Sequence, residues 1–217
     1  EPFVSKDNFI LENYLEEVIN GIKISLKIID HSSAYFYLRK DYYQKFHKKL
    51  KELIKNFPIF LFKEDGKYLA GEETCICENI EGKKIEPKIR PPFPVQVGLW
   101  ECPTLINNVE TFYFVSKIDK GEYKKTRFFS INGEMKNKGV FELPENYSIS
   151  QILKKTNNWP EIDFFVQAGG GACGEILLSN ELNQLIKGTG SIIVFNRKKT
   201  DLFFLMKQWT DFFLKEN

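Results

Sequence analysis

Two adjacent carboxylates follow a glycine in Gly71-Glu72-Glu73-Thr74, between an apolar stretch and a short helical one. Acidic residues in a helix's first turn complement its macrodipole, so helix-start chemistry explains the pair unaided. The chemical alternative is that Gly71 admits a planar ligand while Glu72 and Glu73 accept hydrogen bonds from ribose or amide groups. Pro87-Lys88-Ile89-Arg90-Pro91-Pro92-Phe93-Pro94 reads as a stiff, extended loop. That loop suits ordinary surface, a peptide docked by a polyproline-binding partner, or a cofactor loop. In the last reading Phe93 stacks on an aromatic ring and Arg90 takes phosphate in bidentate fashion. Asn107-Asn108-Val109-Glu110-Thr111 sets Asn107 at an N-cap with Glu110 three residues on, a capping-box-like arrangement. A helix start of this kind can also hold a cofactor phosphate.

Other chemistries lack a signature. Gly169-Gly170-Gly171 has neither the phosphate-loop Lys nor the dinucleotide fingerprint after a strand, and reads as a tight sheet connection. His31 and His47 have no metal-spaced partners, and no Ser/His/Asp nucleophile signature occurs. Cys75, Cys77, Cys102 and Cys173 fit neither a zinc site nor an iron–sulfur motif, and are expected as buried thiols. Hydrophobic residues at 42% and charged residues at 28% exclude wholesale disorder. The net charge of +2 gives no field directed at nucleic acid or an anionic membrane. No apolar run of membrane-spanning length occurs, and the first residues lack signal-peptide character.

Two parts must position these residues. In the first, to about residue 120, Asp7 caps a long helix carrying Phe9, Ile10, Leu15, Val18, Ile22 and Ile24. A strand over Ser33–Leu38, a basic amphipathic helix over Asp41–Asn56 and a strand over Ile59–Phe62 follow, implying an α/β layer with a largely parallel sheet. An irregular stretch over Gly82–Pro103 precedes a helix over Asn108–Ile118. In the second part, Arg127–Ile131 and Gly139–Leu143 form a hairpin turning at Asn132-Gly133. Ser148 caps a helix through Lys155, strands cover Ile162–Gln167 and Ser191–Phe195, and Asp201 begins a last amphipathic helix. The order β-β-α-β fits a small grasp-type sheet.

The order and spacing of the motifs say more than any one of them. Gly-Glu-Glu-Thr, then Glu81-Gly82-Lys83, Arg90-Pro-Pro-Phe-Pro, Gly98-Leu99-Trp100, Pro103-Thr104 and Asn-Asn-Val-Glu-Thr closely resemble the 51-kDa-type flavoprotein of complex I. Diaphorase subunits of NAD-linked hydrogenases and formate dehydrogenases share that pattern. Upstream, Glu1-Pro2 and Lys6-Asp7 look like the end of the family's acidic nucleotide loop. Downstream, Phe128–Leu178 resembles its ubiquitin-like SLBB domain. The resemblance implies an α/β FMN-binding layer over 1–120, a β-grasp SLBB-type domain over 125–196, and a helical region beginning at 200–217. It implies FMN contacts from Gly71, Glu72, Asn107 and Asn108, and NADH contacts from Glu1, Glu73, Arg90 and Phe93. Hydride would pass from NADH to FMN and electrons onward to an iron–sulfur cluster, with no side chain acting as nucleophile or general base.

The sequence also departs from the pattern. Ala70 stands where a Cys is usual, Arg90 where Lys is common, and Phe3 where glycine is usual. The absence of an initiator Met fits a fragment; the family's glycine-rich flavin loop would lie upstream of Glu1 and its cluster cysteines beyond Asn217. The implied partners are other subunits of a complex I-like or hydrogenase-like assembly, including a thioredoxin-like iron–sulfur subunit. The implied location is cytoplasmic, peripheral to the membrane through those partners. A non-catalytic assembly module that retains the fold is the remaining alternative.

Overall fold

The computed structural model describes residues 2–64 and 68–215. The chain divides into two compact units, one of Ile10–Glu122 and one joining residues 2–9 to Tyr123–Lys215. The architecture is mixed α/β.

The expected long first helix is two: α1 (Lys6–Asn13) and α2 (Leu15–Ile28), parted at Tyr14, whose φ of −134° leaves the helical region. Asp7 lies in the first turn of α1 rather than before it. In the Ile10–Glu122 unit, α2 buries Leu15, Val18, Ile19 and Ile22 and lies against α5 (Val109–Asp119). Gly21 sets that distance, since a Cβ there would lie 1.9 Å from the Phe112 carbonyl oxygen. Asn20 donates to the fully buried Ser116 hydroxyl at 3.0 Å, and the Tyr14 and Tyr113 rings meet at 5.0 Å.

Strands β1 (Ala34–Arg39) and β2 (Ile59–Glu64) pair in parallel, linked by α3 (Lys40–Ile54). The helix buries Phe46, Leu50 and Ile54, spaced four apart on one face, and leaves its lysines in water. Alternation along β1 buries Phe36 and Leu38, while Tyr35 pairs with Phe60 and Tyr37 stacks on Phe62. A 3-10 turn over Tyr68–Gly71 leads into α4 (Glu73–Ile80).

The other unit holds a five-stranded mixed sheet: β3 (Thr126–Gly133), β4 (Gly139–Pro144), β5 (Phe164–Ala168), β6 (Glu175–Leu178) and β7 (Ser191–Asn196). Their spatial order is β4-β3-β7-β5-β6, with β3 and β7 parallel and the remaining pairs antiparallel, which is a β-grasp order. Helix α6 (Ile149–Lys155) covers one face, its start fixed by the Ser148–Gln151 capping box. Its core joins Phe129, Ile131, Ile152, Leu153, Val166, Ile192 and Val194. Helix α7 (Leu202–Leu214) follows, capped by Asp201.

One expectation differs from the sheet that forms, and one strand has no counterpart among the expectations. Asn132-Gly133 is not the hairpin turn: both residues remain in β3, where the ladder to β7 pairs them with Ile193 and Val194, and the chain reverses over 134–138. Strand β6 carried no alternation strong enough to be read in advance. Among the described residues, no helix is long and apolar enough to cross a membrane.

Adding a methyl at Gly21 forces α2 away from α5. Gly21→Ala is expected to destabilise the protein by about 1–3 kcal/mol, overpacking outweighing alanine's better helix propensity. Equilibrium urea unfolding measures the difference.

Candidate functional site

The start of α4 is organised by one side chain. Glu72 is the N-cap residue, and its Oε2 accepts the Thr74 and Cys75 amides at 2.8 and 3.0 Å and the Thr74 hydroxyl at 2.5 Å. Its other oxygen, Oε1, accepts from Arg90 Nη2 at 2.6 Å. The second arm of Arg90, Nη1, donates to Glu73. One guanidinium therefore bridges two neighbouring carboxylates from two different nitrogens, a planar fork that lysine's single nitrogen does not supply. The Phe93 ring centre is 6.0 Å from the same guanidinium and the ring is half exposed.

These pairs are partly wet. Exposed ion pairs contribute about 0–1 kcal/mol, so the fork fixes geometry more than it stabilises the fold. Burial pushes the Glu72 carboxyl up, but the Thr74 hydroxyl, the Cys75 and Thr74 amides and the Arg90 charge outweigh it and hold it below the ordinary glutamate value.

The loop that carries Arg90 and Phe93 is tied at both ends. The Lys88 amide donates to Thr74 Oγ1 at 2.9 Å, and the Lys88 ammonium pairs with Glu78. The Gln96 side chain accepts the Phe93 amide at 3.1 Å, and Thr104 donates its amide to the Pro94 carbonyl at 2.8 Å. Farther on, Trp100 and Glu101 are left-handed, with φ of 49° and 62°. Such non-glycine residues cost about 1–2 kcal/mol each. The Glu81 carboxylate holds that turn by accepting the Trp100 amide at 2.6 Å. Its pairing with Lys83, and then that amide, hold Glu81 below the usual carboxylate range.

The structure thus gathers Glu72, Glu73, Arg90 and Phe93 into one contact group, with Gly71 preceding it. A Cβ on Gly71 would meet nothing within 4 Å, so its backbone faces open space. Asn107 and Asn108 are not held by the Arg90 fork; they stand at the head of α5. There Asn108, not Asn107, is the N-cap, accepting the Glu110 amide at 3.0 Å, and Asn107 is left exposed just before it. The cap expected at Asn107 therefore falls one residue later, which puts Glu110 at the second helical position and not at the third that a capping box uses. Glu1 lies outside the described residues.

Sequence reasoning missed the anchoring roles of Thr74, Glu78, Glu81 and Gln96. A hydroxyl two residues beyond the N-cap was the readable hint for Thr74; the others act across 10 or more residues or within a loop, where no periodicity marks them. The expectation of four buried thiols fails for two. Cys75 and Cys77 are buried on α4, but Cys102 and Cys173 are exposed because each sits in irregular backbone. Burial first, then the Glu72 carboxylate, pushes the Cys75 thiol up to about 11. Among the described residues no cluster of three or more His, Cys, Asp or Glu side chains could hold a metal.

Residues fitting a flavin and a dinucleotide are thus present: bare backbone at Gly71, an ionised carboxylate at Glu72, a cationic fork at Arg90 and an exposed ring at Phe93. Residues 1–117 match the family described as the Nuo51 FMN-binding domain. The F subunit of NADH-quinone oxidoreductase from Aquifex aeolicus is 34% identical, covering 71% of this chain and 43% of that protein. Its counterpart from Buchnera aphidicola subsp. Schizaphis graminum is 31% identical, covering 84% and 48%. The chain spans about half the length of these curated relatives. A chain in the crystal structure of NAD+-reducing [NiFe]-hydrogenase in the H2-reduced state superposes with a TM-score of 0.90. It covers all of this chain and 42% of its own length, at 24% identity, and establishes the fold.

Two outcomes follow from the site. Glu72 has a depressed folded-state pKa, so its contribution is complete above the unfolded value and is lost as pH falls through the folded one. Glu72→Gln is expected to lose about 1 kcal/mol at pH 7, with the difference from the unaltered protein closing below about pH 4; urea unfolding across pH checks this. In thiol labelling at pH 8, Cys102 and Cys173 should react promptly and Cys75 and Cys77 only on unfolding.

Proposed function

The chain belongs to the family of the Nuo51 FMN-binding domain, and on that premise we propose that it forms part of an NADH dehydrogenase flavoprotein subunit. The observation that supports this reading most is the Glu72–Arg90–Glu73 fork beside Phe93, built within the matched segment. Bound FMN would supply the hydride acceptor and release electrons singly to an iron–sulfur cluster.

The chain's own groups bind and orient. Gly71 lets the flavin approach backbone, and Glu72, kept ionised, accepts a hydrogen bond from it. Asn107 and Asn108 present amides at a helix start suited to the flavin phosphate. Phe93 stacks on an aromatic ring of the dinucleotide. Arg90 exchanges its Glu73 arm for a dinucleotide phosphate, leaving Glu73 free to accept from ribose hydroxyls. Glu1 would add a further dinucleotide contact. No proton transfer from a protein side chain is required, which suits a site whose capping carboxylate, Glu72, is held in its charged form.

The relatives named above are each a subunit of a quinone-linked dehydrogenase, so partner subunits of a complex I-like assembly are the proposed setting, including a thioredoxin-like iron–sulfur subunit. The β-grasp sheet is read as an SLBB-type domain. The proposed location is the cytoplasmic face of the membrane, reached through those partners.

Residues 1–217 alone are expected to bind FMN weakly and to reduce ferricyanide with NADH slowly or not at all. Flavin fluorescence quenching and a ferricyanide assay measure both. In the flavin-loaded whole gene product, Arg90→Ala should raise KM for NADH by about 10- to 100-fold, the equivalent of a lost charge-assisted hydrogen bond. Unchanged KM would remove Arg90 from the site, and absence of flavin binding in the whole product would favour an assembly module.

A further inference from the structure

The loop bearing Arg90 lies along α4 in a fixed alternation. Lys88 and Arg90 both contact the helix, while Ile89 between them is 92% exposed, the two-residue period of extended chain. The Lys88 amide donates to Thr74 Oγ1 at 2.9 Å, and its ammonium pairs with Glu78, one helical turn beyond Thr74. Arg90 then meets Glu72 and Glu73 at the start of the same helix. The loop therefore runs back along α4, and Thr74 stands between its anchor points at Glu78 and Glu72.

Thr74 is buried, and its hydroxyl is used in both directions. It donates its proton to Glu72 Oε2 and accepts the Lys88 amide. Glu72 Oε2 thus receives three donors, that hydroxyl and the amides of Thr74 and Cys75. Their combined pull fixes the rotation of the carboxylate and leaves Oε1 turned to Arg90, 2.6 Å from Nη2. One hydroxyl therefore sets both sides of the contact: the acceptor through Glu72, and the reach of the donor through Lys88, two residues before Arg90. Starting a helix needs only the amides, so capping does not account for the hydroxyl's second use.

We infer that Thr74 is a positioning residue for dinucleotide binding, acting through Arg90. This rests on the proposed reading of Arg90 as the group that takes a dinucleotide phosphate. A guanidinium already held in place leaves less ordering to be done when the dinucleotide arrives, and affinity gains by that difference. In this role Thr74 touches neither cofactor nor reacting atoms.

The test uses the whole gene product, loaded with flavin, with the redox-inert tetrahydro form of NADH as probe. Calorimetry gives its Kd, steady-state assays give KM and kcat for NADH, and hydrogen exchange follows the Lys88 amide. In Thr74→Val, which keeps the shape and removes the hydroxyl, the Kd should rise by about fivefold, comparable to one lost hydrogen bond. Exchange at Lys88 should quicken, and KM should rise more than kcat falls. Thr74→Ala should act in the same direction, and Thr74→Ser, which keeps the hydroxyl, should recover most of the affinity. In an Arg90→Ala background, Thr74→Val should change the Kd by less than about twofold, because the group it acts through is gone. An unchanged Kd in Thr74→Val and Thr74→Ala overturns the inference. So does an equal loss with and without Arg90, or a loss in both variants that follows flavin content or Tm. Arg90→Ala separates the two levels. If it weakens the probe while Thr74→Val does not, the positioning role fails alone; if it leaves the Kd unaltered, the reading of Arg90 fails first and the inference falls with it.

Discussion

Both oxygens of the Glu72 carboxylate are committed, one to the start of α4 and one to Arg90. The same charge thus begins a helix and tethers a loop whose chain position is 18 residues away. Neither contact is large: an N-cap contributes about 1 kcal/mol and a partly exposed ion pair less. Ordering a residue costs about 1–2 kcal/mol of backbone entropy, so these contacts alone could not hold the irregular stretch around Arg90. The remainder comes from chain stiffness and local bonds. Four prolines between positions 87 and 94 limit the unfolded chain's freedom. Lys88, Gln96 and Thr104 then fasten the loop through hydrogen bonds that each satisfy an otherwise stranded group.

That division of labour explains which parts were legible in the sequence. Helix α6 could be read to the residue because Ser148 and Gln151 carry their own start signal. Strands β1 and β2 and helix α3 followed from periodicity. Glu72, Glu73, Arg90 and Phe93 could be named from motif order, but their convergence could not, since it depends on the loop's return path. Asn132-Gly133 misled for a stated reason: a favoured hairpin pair is overruled when a third strand pairs beside it and its amide side chain has another use. Asn107 misled because two adjacent amides offer two registers for one cap, and the backbone at Asn108 takes the role.

Burial divides the cysteines by chemistry as well as by place. Cys75 lies three residues beyond the capping carboxylate of Glu72, whose charge opposes formation of a thiolate beside it. A nucleophilic thiol needs the opposite environment, with a cation or an unopposed helix start lowering its pKa. The start of α4 therefore suppresses rather than activates its sulfur. Glu72 and Glu81 are likewise held in their ionised form, by amides and cations around them. A surface so arranged binds and orients; it is poorly suited to donate protons, which is the division expected where a bound cofactor carries the electrons.

Backbone strain is placed with similar economy. Phe3, Trp100 and Glu101 all occupy left-handed φ where glycine is the easier residue. Both of these stretches have a polar side chain aimed at the main chain: Asn132 at the Phe3 carbonyl, Glu81 at the Trp100 amide. A fold can drift to 24% identity and keep a TM-score of 0.90, because apolar residues of similar volume replace one another in a core. A strained main chain tolerates less, since the partner must reach one atom from one direction. Strain held in this way is retained only where the resulting shape matters more than the energy lost in making it, and that directs attention to the backbone at positions 2–5 and 98–102 as much as to the side chains of the fork.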